Sequence, residues 1–193
     1  MRTIAKQDWE GRDISAEVHT GVAFVDLDMS EVVNNGAVFT ECTFRGSKFN
    51  CSAHFNAAFV NCTFGGCIFF DATFTECKFV GSTFDRCSFD TTKVVRGDWS
   101  FVALHAADLR TASFEGVRMR EADLTSARCE GASLRDVDLS GASLAGADLT
   151  DCDVRGSDVS AIDPQKTRIV GAIVTADQAI VIAVTLGLDV RVA

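Results

Sequence analysis

The sequence predicts an all-β solenoid closed by a short C-terminal α-helix. Three observations predict it. Phe recurs every five residues at 64, 69, 74, 79, 84 and 89, a period that fits neither a helix nor a flat strand. One register then holds from about residue 17 to 161 without an insertion or deletion. After the lone proline, Pro164, an apolar stretch carries helix-start signals.

Composition bounds the rest. A chain of 193 residues makes one sizeable domain, and 47% hydrophobic with 23% charged residues is a globular balance. The formal net charge of −9 argues against direct nucleic-acid binding, which needs Lys and Arg to neutralise phosphates. The start, MRTIAKQDWEGRD, has no apolar h-region. No stretch approaches the ~18 apolar residues of a membrane span. A cytoplasmic protein without membrane contact is the expectation.

The repeat runs in the order small, polar, large apolar, polar, polar or Gly. Of the 29 positions ending in 4 or 9 from 19 to 159, Phe fills 12 and Leu seven, and 26 are apolar; His19, Asn34 and His54 are the exceptions. Two residues before each centre the side chain is small or Val, except at Glu17 and Leu27. Both inward residues of a short extended side face one way. The next two residues turn a corner, where Gly36, Gly46, Gly66, Gly81, Gly116, Gly131, Gly141, Gly146 and Gly156 fall. A side plus a corner, repeated, makes a coil, and stacked coils bury the apolar ladder. Two stretches fit poorly, SAHFN (52–56) and TTKVVRGDWSF (91–101), and read as local distortions first and as partner contacts second.

The division expected is a β-helix over 1–163 and a cap over 164–193. Thr175 with Gln178 fits a capping box, Asp177 suits the first turn, and Gly187 a C′ stop, so a helix is predicted over 176–186. It is apolar on more than one face. Ile180, Val181, Val184, Leu186, Leu188 and Val190 are therefore predicted to dimerise the chain as well as cap it, with LDVRVA (188–193) adding a short strand.

ADLTS (122–126), ASLRD (132–136) and ADLTD (147–151) resemble the A(D/N)LXX consensus of the pentapeptide-repeat family. The resemblance covers about three quarters of the chain and implies a right-handed quadrilateral β-helix of about twenty residues per coil. The acidic composition, the unbroken register, the Pro-containing break and the DQA-apolar terminal helix further resemble the MfpA/Qnr group, on its MfpA-like branch. That resemblance implies a homodimer that mimics DNA, binds DNA gyrase (a type II topoisomerase), modulates supercoiling, is linked to fluoroquinolone resistance and is regulated by a small GTPase.

With four sides assumed, the side centred on 29 to 149 carries Asp28, Glu31, Asp71, Asp90, Asp108, Glu130, Asp148 and Asp151 against Lys48, Arg110 and Arg128, net −5. These eight acids are the candidate partner surface. The opposite side comes to −3 and the others to −1 and 0. Seven coils at about 4.8 Å make a rod of roughly 34 Å. Nine net charges over it is about one per 4 Å, against about one per 1.7 Å in DNA. Such a rod can steer towards a basic groove, but shape and specific contacts must contribute.

No catalytic constellation, cofactor motif or metal-ligand spacing appears. His19, His54 and His105 lie far apart, the first two at core centres, and the glycines follow corners rather than phosphates. Asp148 and Asp151 lie on an outer face, where no pKa shift is expected. Most of the eight cysteines are separated by multiples of five and follow the repeat, reading as free buried thiols ahead of disulfides. A Thr43, Thr63 and Thr83 column is too short for an ice-binding face. The remaining alternative is a pentapeptide-repeat scaffold for another protein partner.

Overall fold

In the computed structural model, which describes residues 2–191, parallel strands pair at a constant offset of twenty residues. Four five-residue units therefore make one coil. Side one stacks Arg2–Ala5, Val22–Val25, Thr43–Arg45, Thr63–Gly65 and Thr83–Asp85. Side three stacks Val33–Asn35, Ala53–Phe55, Thr73–Thr75, Lys93–Val95, Ser113–Glu115 and Ser133–Arg135. Side four stacks Val18–Thr20, Val38–Thr40 and Ala58–Val60. Side two, centred on Met29, Phe49 and Phe69, holds its coils by single bridges from Asp8↔Asp28 to Asp148↔Arg168. Pairing ends at Asp153↔Ile173. Residues 164–173, read from the sequence as cap, thus belong to the last coil. Pro164 sits in a turn whose Asp163 carbonyl accepts from the Lys166 and Thr167 amides.

The corners explain the fifth position of the unit. The nine glycines named above have positive φ there, and so do nineteen non-glycine residues among those described, including Thr91 (φ 54°) and Phe101 (φ 59°). The backbone demands the left-handed conformation whatever the side chain, although most residues are strained in it. The stretch 91–101 is irregular at a different point. Gly97 has φ 95° at a small position, where a Cβ would overlap the Cys77 carbonyl. Trp99 sits two residues on, the only Trp among the centre positions from 19 to 159, its ring centroid 4.2 Å from that of Phe79 and tilted by 35°.

The core is a set of aromatic columns. Phe24, Phe44, Phe64 and Phe84 stack with centroids 4.7, 4.8 and 4.8 Å apart. Phe39, Phe59 and Phe79 do the same at 4.9 and 4.7 Å. This is the coil spacing, so the strand ladder places the rings at a favourable stacking distance. Columns from adjacent sides meet edge-on, as Phe44 and Phe49 do at 64°. Beyond Trp99, Leu104, Leu124 and Leu144 continue the first column. The small position has its own logic: Ser82, Thr92, Ser157 and Thr167 each donate to the carbonyl 23 residues earlier. The Cys62 and Cys77 thiols reach the equivalent carbonyls at 3.4 Å, and burial pushes both pKa values up to about 12. Cys51 departs from the expectation of buried thiols, because it occupies an exposed corner.

SAHFN is not a distortion. Ala53–Phe55 pairs in register on both edges, and His54 stacks on Phe74 at 4.8 Å. Its Nδ1 lies 3.0 Å from the Asn34 amide nitrogen, and its Nε2 lies 3.0 Å from Ser52 Oγ, which itself donates to Phe49. Burial lowers the pKa of His54 to about 3, so the ring is neutral. His19 stacks on Phe39 at 5.1 Å.

Helix α1 spans Ala176–Thr185. Thr175 and Gln178 form the capping box, and the Gly187 and Leu188 amides return to Val184 and Ala183, closing the C-terminus as a Schellman turn. Gln178 is the helix's one buried residue. Its Nε2 donates to the carbonyls of Val154 and Ser157, both at 2.7 Å, at the end of the stack.

Candidate functional site

Side two owes its character to which position of the unit carries each acid. Asp28, Asp108 and Asp148 stand one residue before a centre. There Oδ1 accepts from the backbone N–H two residues on, at 3.1, 3.4 and 3.0 Å. Asp8, Asp13, Asp98, Asp123, Asp138, Asp153 and Asp158 do the same on their units. The Asp of the repeat is therefore a turn-former, bonding the backbone that leaves its own side.

These Asp residues also pair along the stack. Asp28 meets Lys48 at 3.3 Å, Asp108 meets Arg128 at 3.4 Å, and Asp148 meets Arg168 at 3.5 Å, each exactly one coil away in sequence. Asp108 is also held by Arg110 at 2.6 Å. Asp71 reaches round to Lys93 at 2.9 Å, and Glu130 lies 3.7 Å from Arg128. The remaining three predicted residues, Glu31, Asp90 and Asp151, are exposed and have no cation within 4 Å among the described residues. Extending the side to both ends adds Asp8, Glu10 and Arg168, giving ten acids against four bases.

The expectation that nothing shifts these pKa values is corrected at Asp148. The Thr150 hydroxyl donates to it at 2.6 Å and holds its carboxyl below the usual value. The Ser140 hydroxyl acts likewise on Asp138. On side three, Arg155 grips both oxygens of Asp153 and lowers it to about 2.

The second candidate surface is the C-terminal end. Ile180, Val181, Val184, Leu186, Leu188 and Val190 are all between 40% and 60% exposed. Val170 and Ile173, on the last coil, add to the exposed apolar side chains there and were not foreseen. Ile182 is the helix side chain that packs on the core. Residues 188–191 form no strand, and the rest of the predicted strand, 192–193, lies outside the described residues.

Sequence reasoning also missed Ile68 and Phe70, which stand 40% and 49% exposed in the middle of side two. The signal was present as two apolar residues in outward positions of one unit. Among the described residues no group of three or more His, Cys, Asp or Glu is arranged to hold a metal ion. No helix is long and apolar enough to cross a membrane.

A model of the pentapeptide repeat region matches residues 67–144. No curated protein matches the chain in sequence. Among solved structures, HetL, a pentapeptide repeat protein involved in heterocyst differentiation regulation from the cyanobacterium Nostoc sp. strain PCC 7120, is 18% identical. The match covers 89% of this chain and 84% of HetL, with a TM-score of 0.52. Full-length QnrB1, a plasmid-mediated fluoroquinolone resistance protein, is 19% identical over 96% of this chain and 100% of its own, with a TM-score of 0.45. The architecture is that of a pentapeptide-repeat β-helix.

Proposed function

We propose that this protein binds DNA gyrase in place of a DNA segment, as a homodimer joined through the C-terminal end, and so modulates supercoiling and protects the enzyme from fluoroquinolones. The observation that carries the reading is the acidic excess of side two along an unbroken rod. It agrees with the function that the sequence resemblance implies. Glu31, Asp90 and Asp151 are the contact acids of this reading, because they are exposed and uncompensated. The apolar end supplies the dimer, which doubles the length of rod a groove can hold. The protein acts by occupancy, with no chemistry of its own.

One observation favours a second reading, a scaffold for another protein. Fourteen of the eighteen Lys and Arg residues lie within 4 Å of an acid among the described residues. Eight of these cations, among them Lys48, Arg118 and Arg168, pair with an acid about one coil away and so support coil stacking whatever the partner. A supercoiling assay with purified gyrase, with and without ciprofloxacin and at two salt concentrations, separates the two. Gyrase binding gives salt-sensitive inhibition or rescue from the drug, and the triple variant Glu31→Lys, Asp90→Lys, Asp151→Lys loses it. Wild-type protein without effect on gyrase leaves the scaffold. Inhibition that survives the triple variant removes side two as the contact.

A further inference from the structure

We infer that Ile68 and Phe70 form an apolar anchor within the acidic side, docking into an apolar pocket on a protein partner whose rim is basic. The inference rests on the gyrase reading above and adds the chemistry by which that partner is held. Side two has eighteen outward positions from Asp8 to Val170, one either side of each centre. Fifteen are polar or charged; the exceptions are Ile68, Phe70 and Val170 at the last coil. Two of the three thus fall on one unit near the middle of the side.

The bridge ladder shows how unusual the place is. Its members run Asp8, Asp28, Lys48, Ile68, Ser88, Asp108, Arg128, Asp148 and Arg168. Asp28–Lys48, Asp108–Arg128 and Asp148–Arg168 are ion pairs along the stack. Ile68 and Ser88 interrupt that pattern on consecutive coils. Neither Ile68 nor Phe70 belongs to the core, whose inward positions on this unit are filled by Cys67 and Phe69. Being two residues apart on an extended unit, they project from the same face about 6.6 Å from one another.

Charge selects the occupant. Asp71, next in the chain after Phe70, is paired with Lys93 at 2.9 Å, whereas Asp90 stands one coil on, its carboxylate accepting from the Ser88 and Thr111 hydroxyls with no cation within 4 Å among the described residues. The cation nearest in the ladder, Lys48, is already engaged by Asp28. A nucleic acid or an anionic membrane is repelled here. A second copy docking face to face on a twofold axis would bring the same acids together. A protein pocket with Lys or Arg at its edge satisfies both parts, since an aromatic anchor supplies affinity and the charged rim supplies steering. Uncharged anchoring also answers the charge deficit, because the rod carries too few acids to displace DNA by charge alone.

The test is the Kd for gyrase holoenzyme by biolayer interferometry at about 50 and about 200 mM salt. Wild type is compared with Ile68→Ser/Phe70→Ser, with Phe70→Lys, and with Phe55→Ser, a 42% exposed aromatic on side three. All four are first checked for unchanged thermal melts. The expected result is at least roughly tenfold weaker binding for the first two variants at both salts, with the salt slope of the double-Ser variant unchanged and Phe55→Ser behaving as wild type. Binding of both side-two variants within about twofold of wild type overturns the anchor and leaves the gyrase reading standing. Equal weakening by Phe55→Ser also overturns it, because the effect is then general stickiness. Wild type that does not bind gyrase at either salt overturns the reading and the anchor together.

Discussion

An acid on this surface does one of two jobs, and its place in the five-residue unit decides which. One residue before the centre, Asp closes a turn and in several coils also pairs along the stack; at the corner or one residue after the centre an acid closes no such turn, so Asp71 and Glu130 only reach a cation while Glu31, Asp90 and Asp151 face solvent. Asp138 tests the first role, since it accepts from the Ser140 amide and hydroxyl and from Arg120. Asp138→Asn keeps the turn and loses the charge, whereas Asp138→Ala loses both. The Ala variant should be less stable by about 1 kcal/mol and the Asn variant by less, measured by urea unfolding. The lowered pKa values set a pH window. A carboxylate depressed in the folded state stabilises fully above its unfolded value and loses that contribution as pH falls through the folded one. Stability should therefore decline from about pH 4 downwards, still falling near pH 2 where Asp153 titrates. Melting temperatures between pH 7 and 2 check this; a flat profile below pH 4 contradicts it. The place of the Asp in the unit was legible in the consensus, but its turn-forming bond and its ion pairs were not. The pairs depend on the twenty-residue offset, which no single unit contains.

At the scale of the element, α1 is attached by few groups. Gln178 donates to two carbonyls of the last coil and completes the capping box, so one side chain serves both helix start and solenoid end. Gln178→Ala leaves both carbonyls without that donor and should cost about 2–3 kcal/mol. Hydrogen exchange should then rise in α1 while the aromatic coils stay protected; protection retained in α1 would show that Ile182 alone holds it. The capping box was readable as Thr175 with Gln178. The second duty of Gln178 was not, because it requires knowing which carbonyls lie beneath the helix at the end of the stack. SAHFN misled for the opposite reason: Asn34, Ser52 and His54 look foreign to an apolar column, yet they satisfy one another once stacked.

For the whole molecule, the period of five, the Phe columns and the glycine corners made the solenoid legible, since the period holds over 29 centres, with Phe at 12 of them and the nine glycines named above at their corners. The surfaces were less so, because outward residues have no periodic constraint and their meaning lies in exceptions such as Ile68 and Phe70. The apolar end gives the prediction at this scale. Val181→Asp places a charge among the exposed apolar residues of α1. For the dimer proposed above, it should shift sedimentation towards monomer with little change in melting, because Val181 lies outside the core. An unaltered profile removes this helix from the dimer contact.

The twenty-residue offset gives the rod a phase. Removing one complete coil would shorten it by about 4.8 Å and leave every later side chain on its own side. Removing a single unit of five would rotate everything downstream by a quarter turn. The acidic side would then change direction partway along the rod, and α1 would point elsewhere relative to the coils before the cut. The chain can thus vary in length by whole coils while keeping its charged side straight, whereas a change of one unit twists that side like a misaligned thread.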